Sequence, residues 1–172
     1  MEYVLKQNLH SGVEAALQKA DKYRTLNQPM EAESICRDVL AVDADNQLAL
    51  RTLGLALTDQ FGAATGALFA EAERVFNRLS DPYECAYYGG LVCERQAKTQ
   101  LAAKIPLYTI RPLFDHALAR YAEAAALRPP GNDDPILRWN SCVRALHAAR
   151  GHAAAEPEAR VDWEMDFVPH QR

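Results

Sequence analysis

The stretch PMEAESICRDVLAVDADNQLALRTLGLAL, residues 29–57, decides the fold because it carries two helical patterns in close succession. Apolar residues in each half recur every three or four positions, which places them along one face of a helix. These positions are Ala32, Ile35, Cys36, Val39 and Leu40 in the first half and Leu50, Leu53, Gly54 and Leu57 in the second. Only four residues, 43–46, separate the two patterns. We therefore expect two antiparallel helices, each with apolar surface left for a further helix.

The bulk composition limits the possible classes of protein. The chain has 172 residues, of which 49% are hydrophobic, enough for one domain with a sizeable core. Its net charge of −4 argues against a surface that follows phosphates, so nucleic acid is not the expected partner. No apolar run is long enough to cross a bilayer, and the first ten residues lack the basic-then-apolar order of a signal peptide. We expect a cytoplasmic protein with no membrane partner.

Start signals for further helices occur along the whole chain. Ser11 and Glu14 have the spacing of a capping box and predict a first helix that ends near residue 27. Pro29 suits the first turn of the next helix, and Asp45 and Asn46 are both candidates for the cap of the one after it. Asp81 precedes a proline and predicts a long helix that reaches about residue 104. No segment has the pattern of a convincing strand.

Prolines and glycines predict the breaks between these helices. Gly62, Thr65 and Gly66 mark a turn before the fourth amphipathic stripe. Pro106 and Pro112 bracket a break, so we expect the next helix to begin after the second proline. A last helix follows residues 132–135 and is expected to end at Gly151.

Three segments of the chain share one pattern. MEAESICRDVLAVDADN, FAEAERVFNRLSDP and DHALARYAEAAALRPPGN align so that small, large and medium apolar positions coincide. The coinciding sets are Ala32, Ala72 and Ala117; Cys36, Phe76 and Tyr121; and Val39, Leu79 and Ala124. The helices before these segments align in the same way through Ala20, Leu53-Gly54, Gly89-Gly90 and Cys142. Small residues at such positions allow two helices to approach closely.

With these motifs, residues 13–150 resemble the tetratricopeptide repeat (TPR) family, whose repeat is about 34 residues long. The resemblance covers about three repeats and a closing helix, and it implies an all-α, right-handed array of antiparallel helix hairpins. Gly54 and Ala72 are 18 residues apart and Gly90 and Ala117 are 27 apart, whereas the corresponding distance in the first repeat is 12. We therefore expect elongated second and third hairpins. The alternative is an irregular helical bundle that is rich in alanine by chance.

The resemblance also implies a function. In TPR proteins the first helix of each repeat lines a concave groove that binds a peptide or protein segment. The equivalent positions in this chain are Gln18, Asp21, Arg24, Arg51, Thr52, Leu55, Tyr87, Tyr88, Leu91, Asn140, Ser141 and Arg144. Arginine and tyrosine are enriched at binding hot spots. The resemblance thus predicts a non-enzymatic scaffold without cofactor or metal, and we expect one of the two tyrosines in the core and the other in the groove.

Two other classes of function remain open at this stage. A small-molecule hydrolase or transferase would need a cysteine and a histidine brought together in space, since no catalytic motif is present in the sequence. The four cysteines, Cys36, Cys85, Cys93 and Cys142, also lack the spacing of a zinc site. An RNA-binding helical array would need a continuous basic face.

The last 21 residues, 152–172, form an acidic tail after the helical domain, which we place at residues 1–151. The tail contains five acidic residues and two arginines, so it carries −3 of the net charge of −4. Its apolar residues Val161, Trp163, Met165 and Phe167 alternate with acids, which predicts an extended segment with one apolar edge. Such an edge is expected to dock, either in its own chain or in a second copy to form a homodimer.

Overall fold

A computed structural model of the chain describes residues 4–6, 9–62 and 65–155. A 3-10 turn at His10–Gly12 precedes seven α-helices in this part of the chain. The helices are α1 (Val13–Thr25), α2 (Pro29–Val42), α3 (Gln47–Asp59), α4 (Thr65–Phe76), α5 (Pro82–Ala102), α6 (Leu107–Leu127) and α7 (Asp134–Ala155). The described residues contain no strand, which confirms the predicted all-α class. None of these helices has the combination of length and hydropathy needed to cross a membrane.

Two of the predicted helix starts are confirmed by capping bonds. The Asn46 side chain accepts a hydrogen bond from the Ala49 amide at 2.9 Å, and Asp81 accepts one from the Tyr83 amide at 2.9 Å. The capping box predicted at Ser11 is wrong. Ser11 lies inside the 3-10 turn, so α1 begins two residues later and no side chain caps its first turn.

Two predicted breaks are also wrong. Helix α6 begins at Leu107 and contains Pro112, although proline removes one backbone hydrogen bond. Ile110 and Phe114 are both fully buried on either side of Pro112, so core packing outweighs the lost bond. Helix α7 likewise passes through Gly151 and ends at Ala155, because one glycine lowers helix stability without forbidding a helix.

Each helix packs against the next one in the chain, and the odd-numbered helices also contact one another in the order α1, α3, α5 and α7. Buried side chains of α1–α4 form one core cluster, and those of α5–α7 form most of a second. Tyr88 and Tyr87 lie where the two clusters meet. Tyr88 stacks on Phe76 at a centroid distance of 5.0 Å, and Tyr87 contacts the Tyr121 ring at 5.9 Å. Both tyrosines are therefore half-buried, and neither one alone is the core residue that we expected.

The nine residues aligned in the three similar segments are all buried. Helices α5 and α6 have 21 residues each, whereas α1 to α4 have 12 to 14. The extra sequence between Gly90 and Ala117 is thus accommodated mainly as longer helices. Between Gly54 and Ala72, part of the extra length lies at the beginning of α4, where Thr65 and Gly66 are helical instead of forming the predicted turn.

Candidate functional site

A strip of charged side chains crosses the four odd-numbered helices. Its members are Arg24 in α1, Asp59 in α3, Glu94, Arg95 and Lys98 in α5, and Arg138 in α7. We call these six residues the basic strip. The odd-numbered helices contact one another in the order α1, α3, α5 and α7. Three ion pairs of the strip join neighbouring helices of this series, and the pair between Lys98 and Glu94 lies within α5.

Asp59 holds two guanidinium groups. Arg24 Nε donates to Asp59 Oδ2 at 2.9 Å, and Arg95 Nη1 donates to Asp59 Oδ1 from the other side. Arg95 Nη1 also donates to Thr58 Oγ1 at 2.7 Å. One carboxylate in α3 therefore fixes the position of cations from both α1 and α5.

Glu94 is the second carboxylate of the strip, and only 1% of its side chain is exposed. Lys98 Nζ lies 2.5 Å from Glu94 Oε1 and Arg138 Nη1 lies 3.6 Å from the same atom, while the Tyr121 hydroxyl donates to Oε2 at 2.5 Å. A buried carboxylate requires such partners, because its desolvation is costly. Burial and the neighbouring Glu94 charge raise the pKa of Tyr121, which keeps this hydroxyl protonated as a donor. Lys98 Nζ also bonds Ser141 Oγ at 2.8 Å and so connects α5 to α7.

The six strip residues have four cations for two carboxylates, which leaves a charge of +2 on a chain whose net charge is −4. The exposed Asp21 carboxylate lies 3.9 Å from Arg24 Nη1 at the edge of the strip. The side chains of Arg24, Arg95, Lys98 and Arg138 are 18–38% exposed, so each cation is held in place yet remains accessible. Cations that are already ordered lose little side-chain entropy on binding. This arrangement suits an acidic ligand.

A further ion pair and an aromatic side chain extend this face toward the N-terminal ends of α3 and α5. Arg51 Nη1 donates to Glu84 Oε1, which connects α3 to α5. Burial raises the pKa of the nearby Tyr88, so its hydroxyl also stays protonated. The pair between Arg51 and Glu84 joins the beginnings of α3 and α5. The pair between Asp59 and Arg95 joins later positions of the same two helices, so α3 and α5 run in the same direction.

The residues predicted from the sequence are distributed unevenly over this face. Arg24 is a member of the basic strip, and Arg51 lies in the adjacent ion pair. Thr52 and Leu91, which were expected in the groove, are 5% and 2% exposed, and Thr52 lines a pocket together with Gln18 and Asp21. Leu55 is half-buried against the first core cluster. The side chains of Gln18, Asp21, Asn140 and Arg144 are exposed, and Ser141 bonds Lys98.

Sequence reasoning missed the strip residues Asp59, Glu94, Arg95, Lys98 and Arg138. One signal was available, because Glu94 follows directly on the apolar residues 91–93. A charge next to such a run indicates a buried group that needs a partner of opposite charge. The tail residues Val161, Trp163, Met165 and Phe167 lie outside the described part of the chain.

Three of the cysteines are buried, and burial raises the pKa of their thiols. The pKa of Cys36 is raised to about 12, that of Cys93 to about 11 and that of Cys142 to about 12. A buried neutral thiol is a poor nucleophile. The fourth cysteine, Cys85, is only half-buried. In the described parts of the chain, no group of three His, Cys, Asp or Glu residues is arranged to hold a metal ion.

A second group of arginines lies in a groove between α2 and α4. Arg37, Arg74 and Arg78 line this groove together with Glu71, and Arg37 Nη2 bonds Glu71 Oε1 at 2.7 Å. Arg74 and Arg78 bond mainly to backbone carbonyl groups, those of Ala70 and Ala44. The α2–α4 groove therefore provides a matched control for experiments on the basic strip.

No protein-family model matches the chain, and no curated protein matches it either.

Proposed function

We propose that the chain is a non-enzymatic scaffold of the TPR type, and that the face formed by α1, α3, α5 and α7 binds an acidic segment of a protein partner. The proposal combines an array of helix hairpins with a ligand surface on the first helix of each hairpin. Each of these two parts has its own support.

The hairpin array is supported by the repeated packing of small residues against large ones. Ala32, Ala72 and Ala117 stand at the aligned small positions, and none of them is exposed to solvent. Gly54 packs against Phe76, and Gly90 packs against Tyr121, so the same close approach occurs twice in successive helix pairs. The order of contacts, in which each helix packs on the next, agrees with this architecture.

The observation that carries the binding function is that the +2 charge of the basic strip lies on cations ordered by shared carboxylates. In the equally charged α2–α4 groove, Arg74 and Arg78 bond mainly to backbone carbonyl groups. Asp59 and Glu94 each hold two cations, so a ligand carboxylate can bind one cation without leaving either strip carboxylate unpaired. Asp59 can share Arg95 with a ligand because Arg24 remains as its partner. In the same way, Glu94 can share Arg138 with a ligand because Lys98 remains as its partner. Binding of this kind weakens as salt concentration rises.

The strip suits a protein ligand better than RNA. An RNA backbone brings one phosphate charge per nucleotide and needs many free cations along its path. Here the carboxylates of Asp59 and Glu84 lie among the cations and would repel such a backbone. A protein segment can instead place a few acids beside Arg95 and Arg138 and apolar side chains elsewhere.

A peptide selection tests the proposal. A random peptide library is selected against the full chain, and the affinity of the enriched peptides is measured for two double variants. R95Q/R138Q removes the excess charge of the strip but leaves one cation on each carboxylate, and R74Q/R78Q removes the same charge from the α2–α4 groove. We expect acidic peptides whose affinity falls about tenfold in R95Q/R138Q, about 1.4 kcal/mol, and changes less than about twofold in R74Q/R78Q. Equal affinities for the natural chain and R95Q/R138Q would contradict the proposal.

A further inference from the structure

We infer that the basic strip is a docking surface for the chain's own acidic segment, residues 161–168, in the same molecule. The inference rests on the proposed function, because it assigns an occupant to the same surface. Residues 156–172 lie outside the described part of the chain. The inference rests on their sequence, the length of the connection and the geometry of the strip.

The acidic segment and the basic strip carry opposite charges. Asp162, Glu164 and Asp166 lie within five residues of one another, and residues 156–172 together carry −3. The strip carries +2, while the chain as a whole is negative. Opposite charges of similar size on one chain attract each other, and no other segment of the sequence alternates acids with large apolar residues in this way.

The chain between the end of α7 and the acidic segment is long enough to return to the strip. The bond between Lys98 Nζ and Ser141 Oγ marks the point at which α7 passes the strip. Ala155 lies 14 residues further along α7, about 21 Å away at 1.5 Å per residue. Residues 156–161 can span at most about 20 Å on their way back. Glu164 and Asp166 are three and five residues further along the chain, so their carboxylates can reach the strip.

The short connection favours docking within one molecule over docking of a second copy. A segment joined to its binding site by a short connection is present at an effective concentration in the millimolar range. A second copy of the chain competes only at a comparable protein concentration. The connection is long enough to return, so docking within one molecule is favoured, and the segment then occupies the surface that an acidic partner must use.

Acrylamide quenching of Trp163 fluorescence tests this inference on the full chain. The sequence has two tryptophans, and W139F leaves Trp163 as the only one. We expect the quenching constant of Trp163 to rise about twofold or more when R95Q/R138Q is added to W139F, because the segment is released. Adding R74Q/R78Q instead leaves the constant unchanged. Dilution over about a hundredfold range of protein concentration also leaves it unchanged.

Three results would overturn the inference. Equal quenching in W139F with and without R95Q/R138Q means that the segment does not dock on the strip. Loss of protection on dilution means that the occupant belongs to a second copy. Loss of protection in R74Q/R78Q places the segment in the α2–α4 groove. If W139F does not fold, the quenching of Trp163 is obtained by subtracting the Trp139 signal, measured in W163F, from the signal of the natural chain. Selected peptides that lose affinity in R95Q/R138Q would still support the proposed function after any of these results.

Discussion

The ring of Phe76 in α4 lies against the backbone of Gly54 in α3, so that a Cβ atom at Gly54 would be 2.4 Å from its Cε1 and Cζ atoms. Tyr121 in α6 has the same relationship to Gly90 in α5, with 2.9 Å to its Cε1 atom. Both aromatic rings are buried, so neither has free space into which it could turn. Close packing of this kind transmits any added volume to the neighbouring helix.

Replacing Gly54 by alanine should therefore destabilise the protein. We expect a loss of about 1–3 kcal/mol in the free energy of unfolding, because Phe76 must move away from the new methyl group. Gly66 is the matched control, since it is also helical and has nothing within 4 Å of its Cβ position. G66A should be neutral or stabilising by up to about 1 kcal/mol. Urea unfolding measures both variants, and a change within about 0.5 kcal/mol for G54A would contradict the close approach.

Enlarging an aligned alanine tests the same packing from the other helix. Ala117 is fully buried in α6, whereas Ala122 is exposed on the same helix. A117L should cost about 1–3 kcal/mol through overpacking, and A122L should stay within about 0.5 kcal/mol of the natural chain. Thermal unfolding followed by circular dichroism compares the two. If both variants melt like the natural chain, the alignment of the three similar segments has the wrong register.

The sequence was sufficient to predict the helices and the core positions but not the charged strip. Periodic apolar residues report which face of a helix is buried, and for this reason Ala32, Ala72 and Ala117 were placed correctly. Side-chain pairing depends on which residues of different helices meet, as in the contact between Asp59 and Arg95, 36 residues apart. The helix boundary predicted at Pro112 was wrong because burial of Ile110 and Phe114 outweighs the local tendency of proline to end a helix.

Glu94 should contribute more to stability than an exposed ion pair does. E94Q removes the charge that Lys98 and Arg138 share, and both cations reach solvent, so we expect a loss of about 1–3 kcal/mol. E84Q, which removes the partner of Arg51 on the same helix, is the control. The Glu84 side chain is 21% exposed against 1% for Glu94, so E84Q should cost less than about 1 kcal/mol. Denaturant titrations of both variants decide this point, and an equal cost would mean that burial of Glu94 has no energetic consequence.

The buried thiols predict a loss of stability in alkaline solution. Folding raises the pKa of Cys36 from 9.0 to about 12, and Cys93 and Cys142 are shifted in the same direction. A raised pKa stabilises the folded state fully below pH 9.0, and this stabilisation is lost as pH rises toward the folded pKa values. Each thiol should lower the free energy of unfolding by about 1.4 kcal/mol per pH unit in that window. Urea unfolding at about pH 8 and about pH 10 tests this, and equal free energies would show that the thiols are not protected by burial.

The most direct test of the binding account is a map of the ligand on the protein. The full chain is labelled with ¹⁵N and titrated with an acidic peptide from the selection, while amide chemical shifts are followed. The account predicts the largest shifts at residues 94–98 in α5, at residues 58–59 in α3 and around Arg138 in α7, with little change at residues 74–78 beside the α2–α4 groove. Shifts concentrated at residues 74–78, with residues 94–98 unaffected, would contradict it.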